Sequence, residues 1–254
     1  MFHNNTELKN INFNTAKVKK KYLNGVLVFS AGALVTYHVD TGVKYTEEID
    51  SGASALAPKS FTPSKSGWSF VGWREDETAS SSVLSSKVID SEPVTLYAVF
   101  KQSVTVTYYN DSTTASETSN DKYYNNGNST TPSFALSQAG KSGWSARGWS
   151  TGTAGDAGVT YNNGATFERA SSITLYGLYS QSVSISFSGN GATGGSVASQ
   201  SGTRYYNSSG NIVNPTFTLP ANGFTRTGFN FKNWAIGSTS YAPGTQYTAT
   251  ANTT

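Results

Sequence analysis

The chain has 254 residues, of which 36% are hydrophobic and 13% are charged, and 25 are glycines. This composition offers too little apolar material for one deep core, and it predicts several small domains that close around aromatic residues. A net charge of +3 is small for this length and argues against nucleic-acid binding, and the absence of cysteine excludes disulfides and thiolate sites.

The first 33 residues differ in pattern from the rest of the chain. Ile11–Phe13 alternates as a strand does, and Lys20–Leu23 faces Val26–Phe29 across Asn24-Gly25, a dipeptide that favours a hairpin turn. A strand and a hairpin bury too little surface to fold alone, so this segment is expected to dock either on the first repeat or on a foreign surface. Its expected contact residues are Ile11, Phe13, Val18, Tyr22, Leu23, Val26, Leu27, Val28 and Phe29.

Export signals and membrane spans are not evident in the sequence. The N-terminal region contains no apolar stretch of signal-peptide length, and no apolar run elsewhere reaches the length of a transmembrane helix. With Met1 as the start, the sequence predicts a protein that does not use the general secretory route and does not insert into a membrane.

The remainder of the chain repeats one pattern three times, with length variation in the loops. We expect an N-terminal segment and three repeats, with the bounds 1–33, 34–102, 103–182 and 183–254. Each repeat opens with alternating β-branched and aromatic residues, which predicts a half-buried strand. The three opening runs are Val35–Val39, Val104–Tyr109 and Val183–Phe187.

A second phrase in each repeat joins a basic residue, a glycine turn and an aromatic strand that ends on tryptophan. Its three copies are Lys65–Trp73, Lys141–Trp149 and Arg226–Trp234. The first glycine is expected to adopt a turn conformation, and the second to relieve crowding beside a neighbouring ring. Recurrence of aromatic residues at matching positions predicts the repeat core, formed by Tyr37, Trp73, Tyr97, Trp149, Tyr176 and Trp234.

A closing phrase, Val94–Phe100 in repeat 1 and Ile173–Tyr179 in repeat 2, leads within three residues into the next opening strand. Such short connections predict an elongated array with little freedom between modules. The third repeat reaches Thr254 before any closing phrase. Either the chain is a piece of a longer protein, or a strand from a partner completes the module by β-augmentation.

In this order the three phrases resemble the internalin-type B repeat, also called the Listeria-Bacteroides repeat, over residues 34–254. The sequence departs from the family pattern at Ala146, where an aromatic residue is expected, and at Asn233, which replaces the second glycine; residues 120–129 lengthen a loop. The resemblance implies a mainly β fold of tandem, β-grasp-like modules. It also implies a spacer or adhesive role, as in adhesins and extended surface proteins of bacteria and their phages.

Residues 11–29 resemble the N-terminal attachment segments of bacteriophage structural proteins. This resemblance implies that the hairpin fixes an appendage to other virion proteins, and that the protein is made in the host cytoplasm and released by lysis.

Reactive groups do not converge in the sequence. His3 and His38 lack a second nearby ligand or nucleophile, and the pairs Glu47-Glu48 and Glu75-Asp76 are expected in solvated loops. The glycine-rich run Gly189–Gly195 lacks the Lys-Ser/Thr ending of a phosphate loop and is expected to be a plain loop. We therefore expect no enzyme activity, catalytic residue, cofactor or metal. Trp68 and Trp144, with Phe229 in the third repeat, are left open between core and sugar-binding roles.

The sequence favours a structural appendage of a bacteriophage virion, such as a capsid or tail fibre or a decoration protein. Weak adhesion to a host surface glycan or protein, and self-association, are left open. The alternative is a fragment of a bacterial adhesin on the cell surface. A third reading, an accessory region of a carbohydrate-active enzyme, would require a catalytic domain beyond these residues.

Overall fold

The computed structural model describes residues 20–23, 26–30, 32–90, 92–113 and 115–254. These residues form strands, turns and loops without a helix, and the strands are arranged in several sheets, which confirms the predicted mainly β fold of small modules. Among the described residues there is accordingly no helix with the length and apolarity needed to cross a membrane.

Two strands form a hairpin near the N-terminus. β1 (Lys20–Leu23) pairs antiparallel with β2 (Val26–Ser30), with Leu23 opposite Val26 and a bulge between Lys21 and Tyr22. The strands expected on either side of Asn24-Gly25 are therefore paired. That dipeptide itself, and the proposed contact residues Ile11, Phe13 and Val18, lie outside the described residues.

The chain forms two compact units whose bounds differ from those of the expected repeats. Unit 1 comprises residues 1–103 and 121–131, and unit 2 comprises residues 104–120 and 132–254. Unit 1 therefore contains repeat 1 together with a hairpin from repeat 2. Unit 2 contains the rest of repeat 2 and the whole of repeat 3.

In unit 1, a central strand pairs with a neighbour on each side. The strands of repeat 1 are β3 (Ala33–Asp40), β4 (Val43–Ile49), β5 (Ser69–Arg74) and β6 (Val94–Tyr109). β3 pairs antiparallel with β4 and parallel with β6, where Val35 lies opposite Val94. β5 pairs antiparallel with β6, which places Trp73 opposite Ala98. The hairpin from repeat 2 is formed by β7 (Ala115–Asn125), which begins in unit 2, and β8 (Asn128–Ser129).

The core of repeat 1 is built around two aromatic rings. Tyr37 and Trp73 are both buried, with ring centroids 5.0 Å apart. The Tyr37 hydroxyl donates a hydrogen bond to the Ala55 carbonyl at 2.9 Å, and Trp73 Nε1 donates to the Leu56 carbonyl at 3.1 Å. Burial, with a smaller contribution from the charge of Glu47, raises the pKa of Tyr37 to about 12, so the phenol stays a donor at neutral pH.

The tyrosines of the closing phrases lie outside these cores. Tyr97 is only half-buried and packs beside His38, with ring centroids 4.7 Å apart, while the preceding Leu96 is fully buried. Tyr176 is likewise half-buried and stacks on Tyr109 at 5.4 Å. Successive strand residues face opposite sides, so the leucine before each tyrosine fills the core position expected for the tyrosine.

Repeat 2, in unit 2, uses the same arrangement. Its strands are β9 (Ser133–Ala135), β10 (Ser145–Ser150), β11 (Thr166–Glu168) and β12 (Ile173–Ile185). β12 runs parallel to β6, with Ile173 opposite Val106, and antiparallel to β10. Trp149 is fully buried beside Tyr108 and Leu175, but its Nε1 has no hydrogen-bond partner among the described residues.

Repeat 3 shares β12 with repeat 2 and adds shorter strands. These are β13 (Gly194–Gly195), β14 (Gln200–Asn207), β15 (Ile212–Val213), β16 (Thr216–Thr218), β17 (Phe224–Thr225), β18 (Trp234–Ile236), β19 (Thr239–Tyr241) and β20 (Gln246–Thr248). Its core packs Trp234 against Ile185, Phe217 and Leu219. Trp234 Nε1 donates a hydrogen bond to the Pro220 carbonyl at 2.9 Å.

The first glycine of each tryptophan phrase forms the predicted turn. Gly67, Gly143 and Gly228 have φ angles of +75°, +76° and +79°. In each copy the amide of the next residue donates to the carbonyl of the basic residue three positions earlier, as between Trp68 and Lys65 at 3.0 Å. A positive φ at the third residue of such a turn is the type II geometry, which glycine adopts without strain.

The second glycine lies at a bulge where the tryptophan strand meets the closing strand. Gly148 has a φ of +123°, and a Cβ placed there would lie 2.6 Å from the Tyr161 carbonyl oxygen. At Gly72, a Cβ would lie 2.8 Å from the Val83 side chain. The expected crowding is therefore present, but it comes from backbone and valine side chains rather than from an aromatic ring.

We expect Gly148→Ala to lower the free energy of unfolding by about 2 kcal/mol, because alanine is strained at this φ and its methyl group clashes with backbone. Urea unfolding followed by tryptophan fluorescence measures the effect. Gly158→Ala is the matched control, since a Cβ at Gly158 meets nothing within 4 Å. Equal effects of the two substitutions would contradict the predicted clash.

Candidate functional site

One set of side-chain contacts occurs twice, at each junction between consecutive repeats, and we call it the latch. In each latch, a strand of one repeat contacts the glycine turn of the preceding repeat. Latch 1, in unit 1, consists of Lys65, Trp68, Lys122, Tyr124 and Asn125. Latch 2, in unit 2, consists of Lys141, Trp144, Arg204, Tyr206 and Asn207.

The strands β7 and β14 each present the basic residue and the tyrosine of the latch on one face. Residues two positions apart on a strand lie on the same side, which places Lys122 beside Tyr124 and Arg204 beside Tyr206. The asparagine that follows each tyrosine is the last residue of its strand.

Latch 1 interleaves two aromatic rings with two cations. The rings of Trp68 and Tyr124 lie 5.7 Å apart at an interplanar angle of 52°. Lys65 Nζ lies 4.0 Å from the centroid of Tyr124, and Lys122 Nζ lies 4.9 Å from the centroid of Trp68. Lys65 of the turn therefore contacts the ring on β7, and Lys122 of β7 contacts the ring at the turn. Such contacts contribute about 0.5–1 kcal/mol each at partly exposed sites.

Latch 2 reproduces this geometry with an arginine in place of one lysine. The rings of Trp144 and Tyr206 lie 5.8 Å apart, again at 52°. Lys141 Nζ lies 4.5 Å from the centroid of Tyr206, and Arg204 Cζ lies 5.2 Å from that of Trp144. Trp68 and Trp144 are half-buried, and Trp68 also packs against the edge of the repeat 1 core.

A buried asparagine closes each latch. Asn125 Nδ2 donates hydrogen bonds to the carbonyls of Asp76 and Thr78 at 2.9 and 3.0 Å. Asn207 Nδ2 donates to those of Gly152 and Ala154 at 2.8 and 2.9 Å. Both asparagines are 0% exposed. The acceptors lie three and five residues after the core tryptophan in both repeats. Equivalent asparagines therefore bind the equivalent loop in the two repeats.

A glutamine from the connection between repeats holds the turn carbonyl. Gln102 Nε2 donates to the Gly67 carbonyl at 3.0 Å, and Gln181 Nε2 donates to the Gly143 carbonyl, also at 3.0 Å. These glutamines lie within β6 and β12. The sequence predicted short linkers between repeats at these positions. In the structure, these connections are instead the middle parts of continuous strands.

Latch 1 has an additional carboxylate. Asp40 accepts hydrogen bonds from Lys65 Nζ at 2.6 Å and from the Tyr124 hydroxyl. Burial acts to raise the pKa of Asp40, but these hydrogen bonds outweigh it and hold the pKa below its ordinary value of 3.8. The negative charge lies between the cation and the phenol that form the latch.

We expect Asp40 to stabilise unit 1 fully at neutral pH and to lose this contribution as the pH falls through 3.8 and then through its lower folded pKa. The free energy of unfolding of Asp40→Asn should therefore fall less steeply than that of wild type as the pH is lowered into the acid range. Urea titrations at successive pH values measure the difference from wild type. Asp90→Asn, at an exposed aspartate of unit 1, is the control, and an equal flattening there would contradict the assignment.

The third repeat carries the turn side of a latch without a facing strand among the described residues. Arg226 and Phe229 occupy the places of Lys65 and Trp68. Phe229 is 66% exposed, and Arg226 of its own repeat packs on it, with Cζ 4.3 Å from the ring centroid.

A cleft of about 840 Å³ adjoins this turn in unit 2. Its aromatic lining comes from the end of the opening strand, the β17 region and the tryptophan phrase, and includes Phe187, Phe224, Phe229, Phe231 and Trp234. Thr254 lies at its edge. The cleft is thus bounded by the same elements that enclose the closing strand in the other two repeats.

Two of the carboxylates singled out in the sequence, Glu47 and Asp76, have structural partners. Glu47 and Glu48 lie on β4 rather than in a loop, and Glu47 accepts hydrogen bonds from the backbone amides of Lys59 and Ser60. Asp76, in the loop after β5, pairs with Arg74 at 2.7 Å. In the part of the chain that the structure describes, no three His, Cys, Asp or Glu side chains gather as a metal site would require.

The glycine-rich run has a structural role as well. Gly194–Gly195 forms β13, which pairs with β17, and the rest of Gly189–Gly195 is a loop beside the cleft.

Tyr124, Asn125, Tyr206 and Asn207 were not identified from the sequence. The signal was present as a basic residue followed by Tyr-Tyr-Asn, at Lys122–Asn125 and again at Arg204–Asn207. The corresponding strand of repeat 1, β4, lacks this phrase, so it did not appear as part of the threefold pattern.

Comparison with known families identifies the repeats. The sequence profile of the Listeria-Bacteroides repeat domain matches residues 34–99 and 184–254, which together make up more than half of the chain. Comparisons with curated proteins and with solved structures found no match. Repeats of this kind are typical of surface and adhesion-type proteins. The chain therefore belongs to the Listeria-Bacteroides repeat domain family.

Proposed function

We propose that this protein is a non-enzymatic structural appendage of a bacteriophage virion, in which residues 1–33 attach the chain to other virion proteins and the repeats project outward. The observation that carries the structural role is the latch, which occurs with the same geometry at both junctions. The aromatic, amide and basic groups that recur at both junctions hold strands of one repeat on the repeat before it, as a mechanical role requires.

The latch supports a spacer role through its chemistry. Asn125 and Asn207 commit both amide hydrogens to neighbouring backbone, and a lost partner would leave buried carbonyls unpaired. These hydrogen bonds therefore oppose separation of β7 from repeat 1 and of β14 from repeat 2.

The attachment role rests on the resemblance of residues 11–29 and on the β1–β2 hairpin. A hairpin is marginal in water unless it packs against another surface. The hairpin carries Tyr22, Leu23, Val26, Leu27, Val28 and Phe29, which we propose as the contact residues together with Ile11, Phe13 and Val18. The partners on this proposal are virion proteins, without cofactor, metal or nucleic acid, and the protein is assembled in the host cytoplasm and released by lysis.

Electron microscopy of particles from the producing culture tests this function, with gold-labelled antibody against residues 103–182. We expect label on virions, and we expect a variant that lacks residues 1–31, which keeps the whole of β3, to remain folded in the lysate without reaching particles. Label restricted to the cell envelope, or particles that retain the shortened variant, would contradict the proposal.

A bacterial cell-surface adhesin is the alternative, favoured by the match to a repeat typical of surface and adhesion-type proteins. On either reading, several copies on one surface would convert weak contacts with host glycan or protein into useful avidity. The same labelling experiment separates the two, since an adhesin places the label on the cell envelope.

A further inference from the structure

The turn Asn125–Asn128, which joins β7 to β8, packs on repeat 1 beside a histidine. Asn126 and Gly127 have φ angles of +44° and +94°, as in a tight two-residue hairpin. The Asn126 side chain faces the imidazole of His38 on β3. His38 Nδ1 and Asn126 Oδ1 are both buried, and neither has a hydrogen-bond partner among the described residues. The imidazole is therefore enclosed at Nδ1 without a hydrogen bond that would hold a charge there.

The other groups around His38 belong to three further elements. On β6, the Tyr97 ring packs against the imidazole, with ring centroids 4.7 Å apart. On β4, Lys44 lies directly opposite His38, so a protonated imidazole would face a like charge. Glu77, in the loop after β5, favours protonation through its negative charge. Burial and then Lys44 outweigh Asn126 and Glu77, so the pKa of His38 is lowered from its ordinary value of 6.5.

Among these elements, the turn is the one that can separate from His38 most easily. Ladders of backbone hydrogen bonds join β3 to β4 and to β6. The turn is instead held by side-chain amides: Asn128 Nδ2 donates to the Glu77 carbonyl at 3.0 Å, and Asn125 Nδ2 donates to the carbonyls of Asp76 and Thr78. Segments with few backbone hydrogen bonds open at the lowest cost in free energy. A charge on His38 is therefore relieved most readily by release of the turn.

The second junction has a tyrosine at the equivalent place. Tyr109 lies opposite Tyr176 in the same parallel register in which His38 lies opposite Tyr97, and the two tyrosine rings stack at 5.4 Å. The turn after β14 packs here as well, because Ser208 Oγ donates to the Tyr109 carbonyl. A tyrosine gains no charge on acidification. The two junctions therefore share the latch but differ in one titratable ring.

We infer that the first junction is an acid-sensitive contact, in which protonation of His38 loosens the turn Asn125–Asn128 from repeat 1 while the second junction stays closed. Because the folded state favours the neutral imidazole, the contact is intact above pH 6.5 and weakens as the pH falls from 6.5 through the lower folded pKa. This window lies above that of Asp40, whose folded pKa is below 3.8. The inference holds for either surface on which the repeats are displayed.

NMR titration of the full chain measures the protonation of His38 directly. His3 is the other histidine of the chain, so a His3→Gln variant leaves one imidazole signal. We expect this signal to report a pKa below 6.5, and we expect Lys44→Gln to raise that pKa because it removes the like charge. A His38 pKa at or above 6.5 would overturn the inference.

Hydrogen exchange of the full chain measures the loosening itself. After correction for the intrinsic effect of pH on exchange, the protection of amides in residues 123–130 should fall at least about twofold between pH 7.5 and pH 5. The protection of residues 205–212, at the second junction, should stay the same and is the internal control. Equal losses in the two segments, or no loss in the first, would overturn the inference.

Two substitutions assign the response to the imidazole. His38→Tyr gives the first junction the ring that the second junction has, and His38→Gln keeps a hydrogen-bonding side chain that does not titrate. In both variants, the protection of residues 123–130 should no longer depend on pH over the same range. A loss that persists in folded His38→Gln would show that another group is responsible and would overturn the inference.

Discussion

Trp73→Ala is expected to lower the free energy of unfolding of unit 1 by about 4 kcal/mol. Trp73 is 1% exposed and packs against Tyr37 and Phe70, with ring centroids 5.0 and 5.3 Å away. Alanine would leave a large cavity and would leave the Leu56 carbonyl without the indole donor. Small domains are stable by about 5–15 kcal/mol, so this single change removes a large part of the total.

Urea unfolding followed by circular dichroism measures this loss. Trp68→Ala is the matched control, because Trp68 is only half-buried in latch 1, and we expect it to cost about 1 kcal/mol. Losses of similar size in the two variants would contradict the assignment of Trp73 to the core.

The indole nitrogens allow a finer comparison between repeats. Trp73 Nε1 donates to a carbonyl, whereas Trp149 Nε1 has no partner among the described residues. Trp73→Phe removes a hydrogen bond and Trp149→Phe removes an unpaired buried donor, so the first substitution should be the more destabilising of the two.

Asn207→Asp is expected to lower the free energy of unfolding of unit 2 by about 3–5 kcal/mol at neutral pH. The change keeps the shape of the side chain and keeps the oxygen that accepts the Ser209 amide at 2.9 Å. It replaces two donated hydrogen bonds with a buried negative charge that faces the carbonyl oxygens of Gly152 and Ala154. The loss therefore reports on the latch itself.

This substitution also has a predicted pH dependence. Burial beside two carbonyl oxygens should raise the pKa of the new carboxyl above its unfolded value. A raised pKa means that the penalty is absent below the unfolded pKa and grows as the pH rises through the folded one. Unfolding measured from acid to neutral pH should show the variant approaching wild type at the acid end.

Asn214→Asp is the matched control for the latch. Asn214 accepts a hydrogen bond from Arg204 Nε at 2.7 Å, so a carboxylate there retains and strengthens the contact. We expect no loss of stability in this variant. A loss as large as that of Asn207→Asp would show that any negative charge added in this region is harmful and would remove the evidence for the latch.

The elements of the fold were predictable because they depend on local pattern. The alternation in Val35–Val39 specifies which side of β3 faces the core, and Gly67 reveals its turn because few other residues tolerate that conformation. The recurrence of Trp73, Trp149 and Trp234 marked positions that every module buries. The prediction that Tyr97 is a core residue was wrong. Leu96 and Tyr97 are adjacent large residues that face opposite sides of the strand, and the local pattern does not show which of them faces the core.

The latch could be recognised only from the tertiary structure. Tyr124 and Tyr206 are ordinary strand residues in sequence, and their partners lie more than fifty residues away along the chain. The contact arises because β7 and β14 return across the preceding turn, which depends on how the modules are joined rather than on any local preference.

Local pattern was sufficient to predict the repeated strands, the turns at Gly67, Gly143 and Gly228, and the core tryptophans, since each follows from side-chain period or backbone sterics within a few residues. Long-range packing decides which tryptophans join modules and whether the tryptophan phrase becomes a strand. Lys65–Trp73 and Arg226–Trp234 are nearly the same phrase, yet only the first has β structure throughout its aromatic part. The physical reason is that a strand needs a neighbour to satisfy its backbone hydrogen bonds, and that neighbour is remote in sequence.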